Sequence, residues 1–139
     1  MANKRKKPSD TVVFMPALYD ETLLLLAEAH RYFEGPGVAE QRDMGERLRT
    51  MYISEMSRVT VRLSCVMAWL LARRAVSDGT ITADEANARY RLECRETSLH
   101  QHIEAETVLP DTLTDMLDKS YELYARVARL DEESQKGKA

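Results

Sequence analysis

One stretch of sequence, residues 48–78, decides the fold: LRTMYISEMSRVTVRLSCVMAWLLARRAVSD. From about Val38 to Asp78 there is no proline and the only glycine is Gly45, so a helix approaching ~40 residues is expected, with its firmest part from Leu48 onward. Apolar side chains recur along it at alternating spacings of four and three, at Tyr52, Met56, Val59, Leu63, Val66 and Leu70. That spacing is typical of a helix that packs lengthwise against other helices.

The sequence on either side predicts three further helices. A first helix begins at Pro16, where the missing N–H costs nothing, and ends at Gly35-Pro36-Gly37. A third begins with a capping box at Thr82, after the turn at residues 77–80, and extends toward Thr107 as a weaker amphipathic helix without a definite end. A fourth runs from Pro110 to Asp131 with a broad apolar stripe.

Composition supports the same fold class. A chain of 139 residues is sized for one domain, and it holds only 5 Gly and 4 Pro while 31% of its residues are charged. All-β folds need more turn residues, and doubly wound α/β folds need Gly-rich crossovers. We therefore expect an all-α, antiparallel bundle of three to four helices with one long central helix. Residues 16–131 form the bundle domain, 1–15 a flexible basic arm and 132–139 a flexible tail.

Charge is unevenly distributed along the chain. The cluster Lys4-Arg5-Lys6-Lys7 leaves 16 basic against 23 acidic residues elsewhere, so the body is acidic. A short basic arm is usually a solvated tail, and DNA binding is disfavoured because no basic stripe accompanies a recognition helix. No signal peptide is evident, and the uncharged run at residues 63–72 is about half of what spans a bilayer. A soluble, cytoplasmic protein is expected.

On a helical wheel, the long helix has polar and small residues on two further faces. Beside the apolar seam lies a face with a glutamate, arginines and a tryptophan, at Glu55, Arg58, Arg62, Trp69 and Arg73. A third sector holds small uncharged residues, at Ser54, Ser57, Val61, Ser64, Ala68 and Ala72. Solvent-exposed faces normally carry Lys and Glu, so this helix is expected to be covered on more than one side, as a central helix or a subunit interface.

Four arginines and no acid lie between Met56 and Ser77, at Arg58, Arg62, Arg73 and Arg74. One interpretation pairs them with acids of neighbouring helices and with the helix dipole, while their stems cover apolar surface. The other makes them a docking surface for an acidic protein segment, since the planar guanidinium binds carboxylates bidentately. Trp69 is expected in the core more than at a binding hot spot. We take the four arginines as candidate partner-binding residues.

The sequence offers few residues that could catalyse a reaction or bind a cofactor. His100 and His102 are two residues apart and would point away from each other on a helix. Cys65 and Cys94 stand alone in sequence, without the spacing of a metal knuckle or a redox motif, and no Gly-rich phosphate loop occurs. The carboxylates of the third helix lack the Glu-x-x-His pairs of a di-iron site. No catalytic, metal-binding or cofactor-binding residues are predicted.

Several motifs together resemble the RcdA family, the regulators of CtrA degradation. The long helix contributes residues 52–63, YISEMSRVTVRL, and residues 68–79, AWLLARRAVSDG. The first helix ends in YFEGPG at 32–37, and the last helix contains residues 109–113, LPDTL, and 126–131, RVARLD. The similarity extends from about residue 16 to residue 131 and depends on the conjunction of these pieces.

This resemblance implies a helical, usually dimeric adaptor that is not an enzyme and delivers cell-cycle regulators to the ClpXP protease. Implied partners are the response regulator CpdR, a PopA-like regulator and transcription-factor cargo such as CtrA, with recruitment to a cell pole alongside the protease. The alternatives are a structural or signalling homodimer without a protease link and, further behind, a nucleic-acid-binding protein that uses the basic arm.

Overall fold

The structure, a computed structural model, describes residues 15–100 and 108–136. Within these residues the chain forms six helices and no strand. They are α1 (Pro16–Glu34), α2 (Pro36–Arg42), α3 (Glu46–Ser77), α4 (Ala83–Arg89), α5 (Arg95–Leu99) and α6 (Asp111–Lys136). The predicted all-α bundle with a long central helix is confirmed, and its three long helices are α1, α3 and α6. The predicted basic cluster at residues 4–7, His102 and residues 137–139 lie outside the described residues.

The core lies where the three long helices meet. Five of the six residues in the predicted seam of α3 are at most 1% exposed, and Met56 is half-buried. They pack against buried side chains of α6, including Leu113, Leu123 and Val127. The 4-3 spacing in the sequence therefore marks the buried surface correctly.

Contacts between the helices give their directions. Glu21 and Glu28 of α1 pair with Arg126 and Lys119 of α6, so these two helices are antiparallel. Arg62 and Trp69 of α3 contact successively later positions of α6, so α3 and α6 are parallel to each other. The antiparallel arrangement expected from the sequence therefore holds for α1 and α6 but not for α3 and α6. A parallel pair needs a connection that travels back along its length. Residues 83–100, which we term the return segment, provide part of that connection.

The predicted second helix is divided near its start. The chain turns at residues 43–45, and Gly45, at φ −67° and ψ 165°, is the extended residue before α3. The start of α2 packs tightly against α1 and α3, since a Cβ on Gly37 would clash with the Tyr52 hydroxyl oxygen and with the Tyr32 carbonyl oxygen. Only glycine fits at this position without displacing that ring. The long helix is therefore 32 residues, and α2 is a separate short helix.

The third predicted helix is shorter than expected and the last is longer. Thr82 caps α4 through its hydroxyl, 3.0 Å from the Glu85 amide nitrogen, as the sequence predicts. The helix then ends at Arg89, and residues 90–94 are non-helical because their side chains and carbonyls bond to other elements. At the other end, α6 continues past the predicted boundary at Asp131 to Lys136, where Gln135 donates to the Asn87 carbonyl at 2.9 Å.

Candidate partner-binding surface

Arg62 is buried and holds the return segment against α3 and α6. The residue is 2% exposed, and its guanidinium donates to backbone carbonyls of Ser98 at 2.7 Å, Leu117 at 3.0 Å and His100 at 3.1 Å. A fourth bond reaches the Ser120 hydroxyl at 3.2 Å. Burial and the neighbouring charge of Arg58 lower the pKa of Arg62 to about 10, which still leaves it charged at neutral pH. It joins three elements by charge-assisted hydrogen bonds.

A buried carboxylate is the second centre of the same region. Asp131 of α6 is 0% exposed, and its Oδ1 accepts a hydrogen bond from the Trp69 indole at 2.9 Å. Its Oδ2 accepts from Arg91 Nε at 3.0 Å and lies 3.8 Å from Arg95 Nη1. The charge is thus paired, as a buried carboxylate requires. Trp69 lies in the core, as the sequence suggests, with a polar partner that the sequence did not indicate.

The four candidate arginines do not form one docking face. Arg73 is 0% exposed, with its guanidinium carbon 4.8 Å from the centre of the Trp69 ring. Burial lowers its pKa, while the charge of Asp131 acts in the opposite direction. Arg62 and Arg73 are therefore unavailable to a partner in this structure, because both guanidinium groups are enclosed by the protein's own helices. Their assignment to a docking surface is wrong at these two positions.

The other two arginines are more accessible. Arg58 keeps 16% of its side chain exposed, pairs with Glu55 at 3.1 Å and donates to the Thr97 carbonyl at 2.6 Å. Arg74 is exposed, with its guanidinium carbon 5.8 Å from the centre of the Tyr19 ring. The two lie sixteen positions apart along α3, so they cannot grip one small acidic group together.

Opposite the buried arginines, α3 has an exposed face without charge. Every exposed residue from Thr50 to Leu71 is uncharged, and we term this set the open face: Thr50, Ile53, Ser54, Ser57, Thr60, Val61, Ser64, Ala68 and Leu71. At 100° per residue they fall within a stripe of roughly 120°, and they extend for about 30 Å along the helix. Ile53 is 43%, Val61 37% and Leu71 47% exposed. The small third sector of the sequence corresponds to this face, except that Ala72 is buried.

Three further observations concern the cysteines, metal ions and membranes. Burial and, after it, the neighbouring thiol of Cys94 in the return segment raise the pKa of Cys65 on α3, so the two cysteines lie close together although they stand alone in sequence. Among residues 15–100 and 108–136, no three His, Cys, Asp or Glu side chains are grouped to hold a metal ion. In the same residues no helix combines the length and apolar character needed to cross a membrane.

Comparison with known proteins shows a matching family and a similar solved structure. The family described as "Protein of unknown function (DUF1465)" matches residues 9–139. The crystal structure of RcdA from Caulobacter crescentus CB15 superimposes with a TM-score of 0.67 and 28% sequence identity. The matched region covers 92% of this chain and 91% of that chain. No curated protein sequence matches the chain.

Proposed function

Since the chain belongs to the DUF1465 family, which is the RcdA family, we propose that it is a non-enzymatic adaptor that promotes degradation of cell-cycle regulators. In this proposal the protease is ClpXP, and the cargo includes the transcription regulator CtrA. A CpdR-like response regulator and a PopA-like protein act as further partners. The adaptor works in the cytoplasm and is recruited to a cell pole together with the protease.

The open face of α3 is the observation that best supports a role in protein binding. An exposed helical face normally carries Lys and Glu, whereas this one carries Ser, Thr, Ala and three large aliphatic side chains. Small residues let a second helix approach closely, and Ile53, Val61 and Leu71 supply apolar area to bury. A contact surface of this kind needs no catalytic group, which agrees with an adaptor.

We assign the open face to self-association. A stripe of about 30 Å on one straight helix can lie against the same stripe of a second copy around a two-fold axis, which buries both at once. Uncharged residues on both sides avoid the like-charge repulsion that a symmetric contact between charged faces would create. The homodimer that the family resemblance implies therefore has a specific face in this proposal.

Partner recognition is assigned to the accessible arginines. Arg74 lies at the last turn of α3, where its charge also favours the negative end of the helix dipole. Its planar guanidinium is suited to a carboxylate of an acidic segment, such as one on cargo or on a partner regulator. Arg58 contributes at its exposed edge only, since its Nε and Nη1 already donate to Glu55 and to the Thr97 carbonyl.

The function is tested by reconstituted proteolysis. CtrA is incubated with ClpXP, ATP, CpdR and PopA, and its half-life is measured with and without this protein. An adaptor shortens the half-life of CtrA and leaves an unrelated ClpXP substrate unaffected. Unchanged half-lives for CtrA and for other cell-cycle regulators contradict the proposal.

Arg74→Glu tests the recognition residue, and Arg129→Glu on the exposed side of α6 is its matched control. Both variants change charge by the same amount at an exposed helical position. Accelerated CtrA degradation is expected to be lost with Arg74→Glu and retained with Arg129→Glu. Equal activity of the two variants removes Arg74 from the proposed contact.

A structural or signalling homodimer without a protease link is the second candidate, and the open face favours it equally. The two candidates differ in the proteolysis experiment alone. A stable dimer that never accelerates degradation of any cell-cycle regulator supports this second function and contradicts the first.

A further inference from the structure

The register of the return segment places two cysteines opposite each other. Near one end, the Ser98 carbonyl accepts the hydrogen bond from Arg62 of α3. Near the other, Arg91 bonds to the carboxylate that also binds the Trp69 indole of α3. On the return segment Cys94 lies between Arg91 and Ser98, and on α3 Cys65 lies between Arg62 and Trp69. Because both ends of this part of the return segment are fixed in that register, Cys94 lies opposite Cys65.

The surroundings of the two thiols differ. Cys65 is half-buried and lines a cavity of about 190 Å³ whose outer wall is formed by Tyr90, Arg91 and Glu93 of the return segment. Cys94 is exposed and has φ 60° and ψ 36°, the left-handed region that a residue with a Cβ seldom adopts. Among the described residues it is the only non-glycine at positive φ. Such conformations persist where surrounding contacts enforce them, and they are frequent at functional positions.

We propose that Cys65 and Cys94 form a reversible redox site, in which a hydroperoxide converts the facing thiols into an intramolecular disulfide between α3 and the return segment. Neither the family assignment nor the adaptor function includes such a site. The disulfide would join two segments that are 29 positions apart in the chain. The return segment, held in the reduced protein by hydrogen bonds and ion pairs, would then be held covalently.

The chemistry proceeds in two balanced steps. The Cys94 sulfur, as thiolate, attacks the outer oxygen of the hydroperoxide, so that an S–O bond forms and the O–O bond breaks. The outer oxygen stays on sulfur as the sulfenic acid, and the inner oxygen leaves and is protonated by solvent to an alcohol or to water. The Cys65 sulfur then attacks the Cys94 sulfur, the S–O bond breaks, and the hydroxide takes the proton that Cys65 releases to form water. Two thiols are oxidised by two electrons, and one hydroperoxide is reduced.

The order of the steps follows from exposure. Cys94 is the thiol that solvent and oxidant reach first. Cys65 is half-buried, and burial together with the neighbouring Cys94 thiol raises its pKa to about 11, so it remains protonated until the sulfenic acid forms beside it. It therefore acts as the resolving thiol. Proximity makes this step intramolecular, and it competes with further oxidation of Cys94.

The test is oxidation of the full chain by a limiting amount of hydrogen peroxide, followed by blocking with a maleimide and intact mass measurement. The expected product is a single chain lighter by two hydrogen atoms, in which neither cysteine reacts with the maleimide. After reduction with dithiothreitol, both cysteines should react with it again. The folded protein should form it at least about tenfold faster than the urea-unfolded chain, because the fold raises the effective concentration of the two thiols.

The variants Cys65→Ser and Cys94→Ser separate the roles. Cys65→Ser should stop at the sulfenic acid or proceed to sulfinic acid at Cys94, while Cys94→Ser should keep Cys65 reduced at the same peroxide concentration. Cys94 is exposed, so its variant is expected to keep the fold even if Cys65→Ser does not. A disulfide between two chains, sulfinic acid at Cys94 of the wild type, or equal rates in the folded and unfolded chains would overturn the proposal.

Discussion

The two sides of α3 reverse the usual arrangement of a surface helix. One side carries Arg62 and Arg73, and both are buried. The opposite side carries small and aliphatic residues, and it is exposed. The charged residues of α3 therefore do not mark its solvent-exposed side. The buried arginines stabilise the fold, and the exposed uncharged face is available to a partner. The predictions below test this division, from the largest effect on stability to the smallest.

Arg62→Leu is expected to have the largest effect. The change removes the donor from the Ser98, His100 and Leu117 carbonyls, and the free energy of unfolding should fall by about 3–5 kcal/mol. Urea denaturation measures it, with Arg58→Ala as the comparison on the same face, where the loss of one ion pair and one hydrogen bond to the return segment predicts about 1–2 kcal/mol. Similar losses for both variants would show that Arg62 does not hold the return segment.

Asp131→Ala is expected to rank second. It leaves the Trp69 indole and the Arg91 guanidinium without their buried acceptor, at a cost of about 2–4 kcal/mol. The neighbouring Glu132→Ala removes an exposed ion pair to Arg95 and should cost less than about 1 kcal/mol. Thermal or urea denaturation of the two variants measures the difference, and a Glu132→Ala loss as large as that of Asp131→Ala would contradict it.

Alkaline pH should lower the free energy of unfolding, because it ionises cysteine and tyrosine side chains in the core around α3. Burial raises the pKa of Cys65 to about 11 and that of Tyr124 to about 12, and it also raises the pKa of Tyr32 and Tyr52. Their neutral forms are favoured in the folded state, so this contribution is complete below the unfolded pKa values, about 8.5 for Cys and about 10 for Tyr. It is lost as pH rises through the folded values, from about pH 9 to pH 12.

The measurement is the urea midpoint as a function of pH from 8 to 11. Tyr124→Phe should flatten the alkaline decline, although it also removes a hydrogen bond to the Glu93 carbonyl and lowers the midpoint at neutral pH. Tyr90→Phe is the control, because Tyr90 is 47% exposed. A decline that Tyr124→Phe leaves as steep as in the wild type would contradict the assignment.

Ala68→Arg should have the smallest effect on stability. Ala68 is an exposed residue of the open face at the edge of the cavity that Cys65 lines, so a long side chain there can extend into solvent and unfolding should change by less than about 0.5 kcal/mol. Ala39→Arg on α2 is the matched control, since Ala39 is also an exposed helical alanine. Denaturation should be measured at a protein concentration low enough to separate the subunits. A large loss for Ala68→Arg alone would mean that the open face packs within one chain.

Local signals in the sequence explain how much of this fold could be predicted. Pro16, Gly35 and the Thr82 cap act within a few residues, and the structure has each of these helix boundaries where the sequence predicts it. The apolar seam of α3 is likewise readable, because one helix repeats its own period. The sector of small uncharged residues likewise predicts that a third side of α3 is not an ordinary charged solvent-exposed face.

What could not be predicted depends on contacts between distant residues. Arg62 bonds to carbonyls 36 and 55 positions away, and no local pattern marks a carbonyl as an acceptor. The same holds for residues 90–94, which leave the helix to bond to α6, and for Gln135, whose contact with Asn87 extends α6. The parallel pairing of α3 with α6 follows from this return path and not from either helix alone.

The central claim is that the open face of α3 joins two copies of the chain while the buried arginines hold each copy together. Sedimentation velocity of the wild type, Ala68→Arg and Ala39→Arg at several protein concentrations tests it directly. The account predicts a dimer for the wild type and for Ala39→Arg, and a folded monomer for Ala68→Arg. A wild type that stays monomeric, or an Ala68→Arg variant that dimerises as strongly as Ala39→Arg, would contradict it.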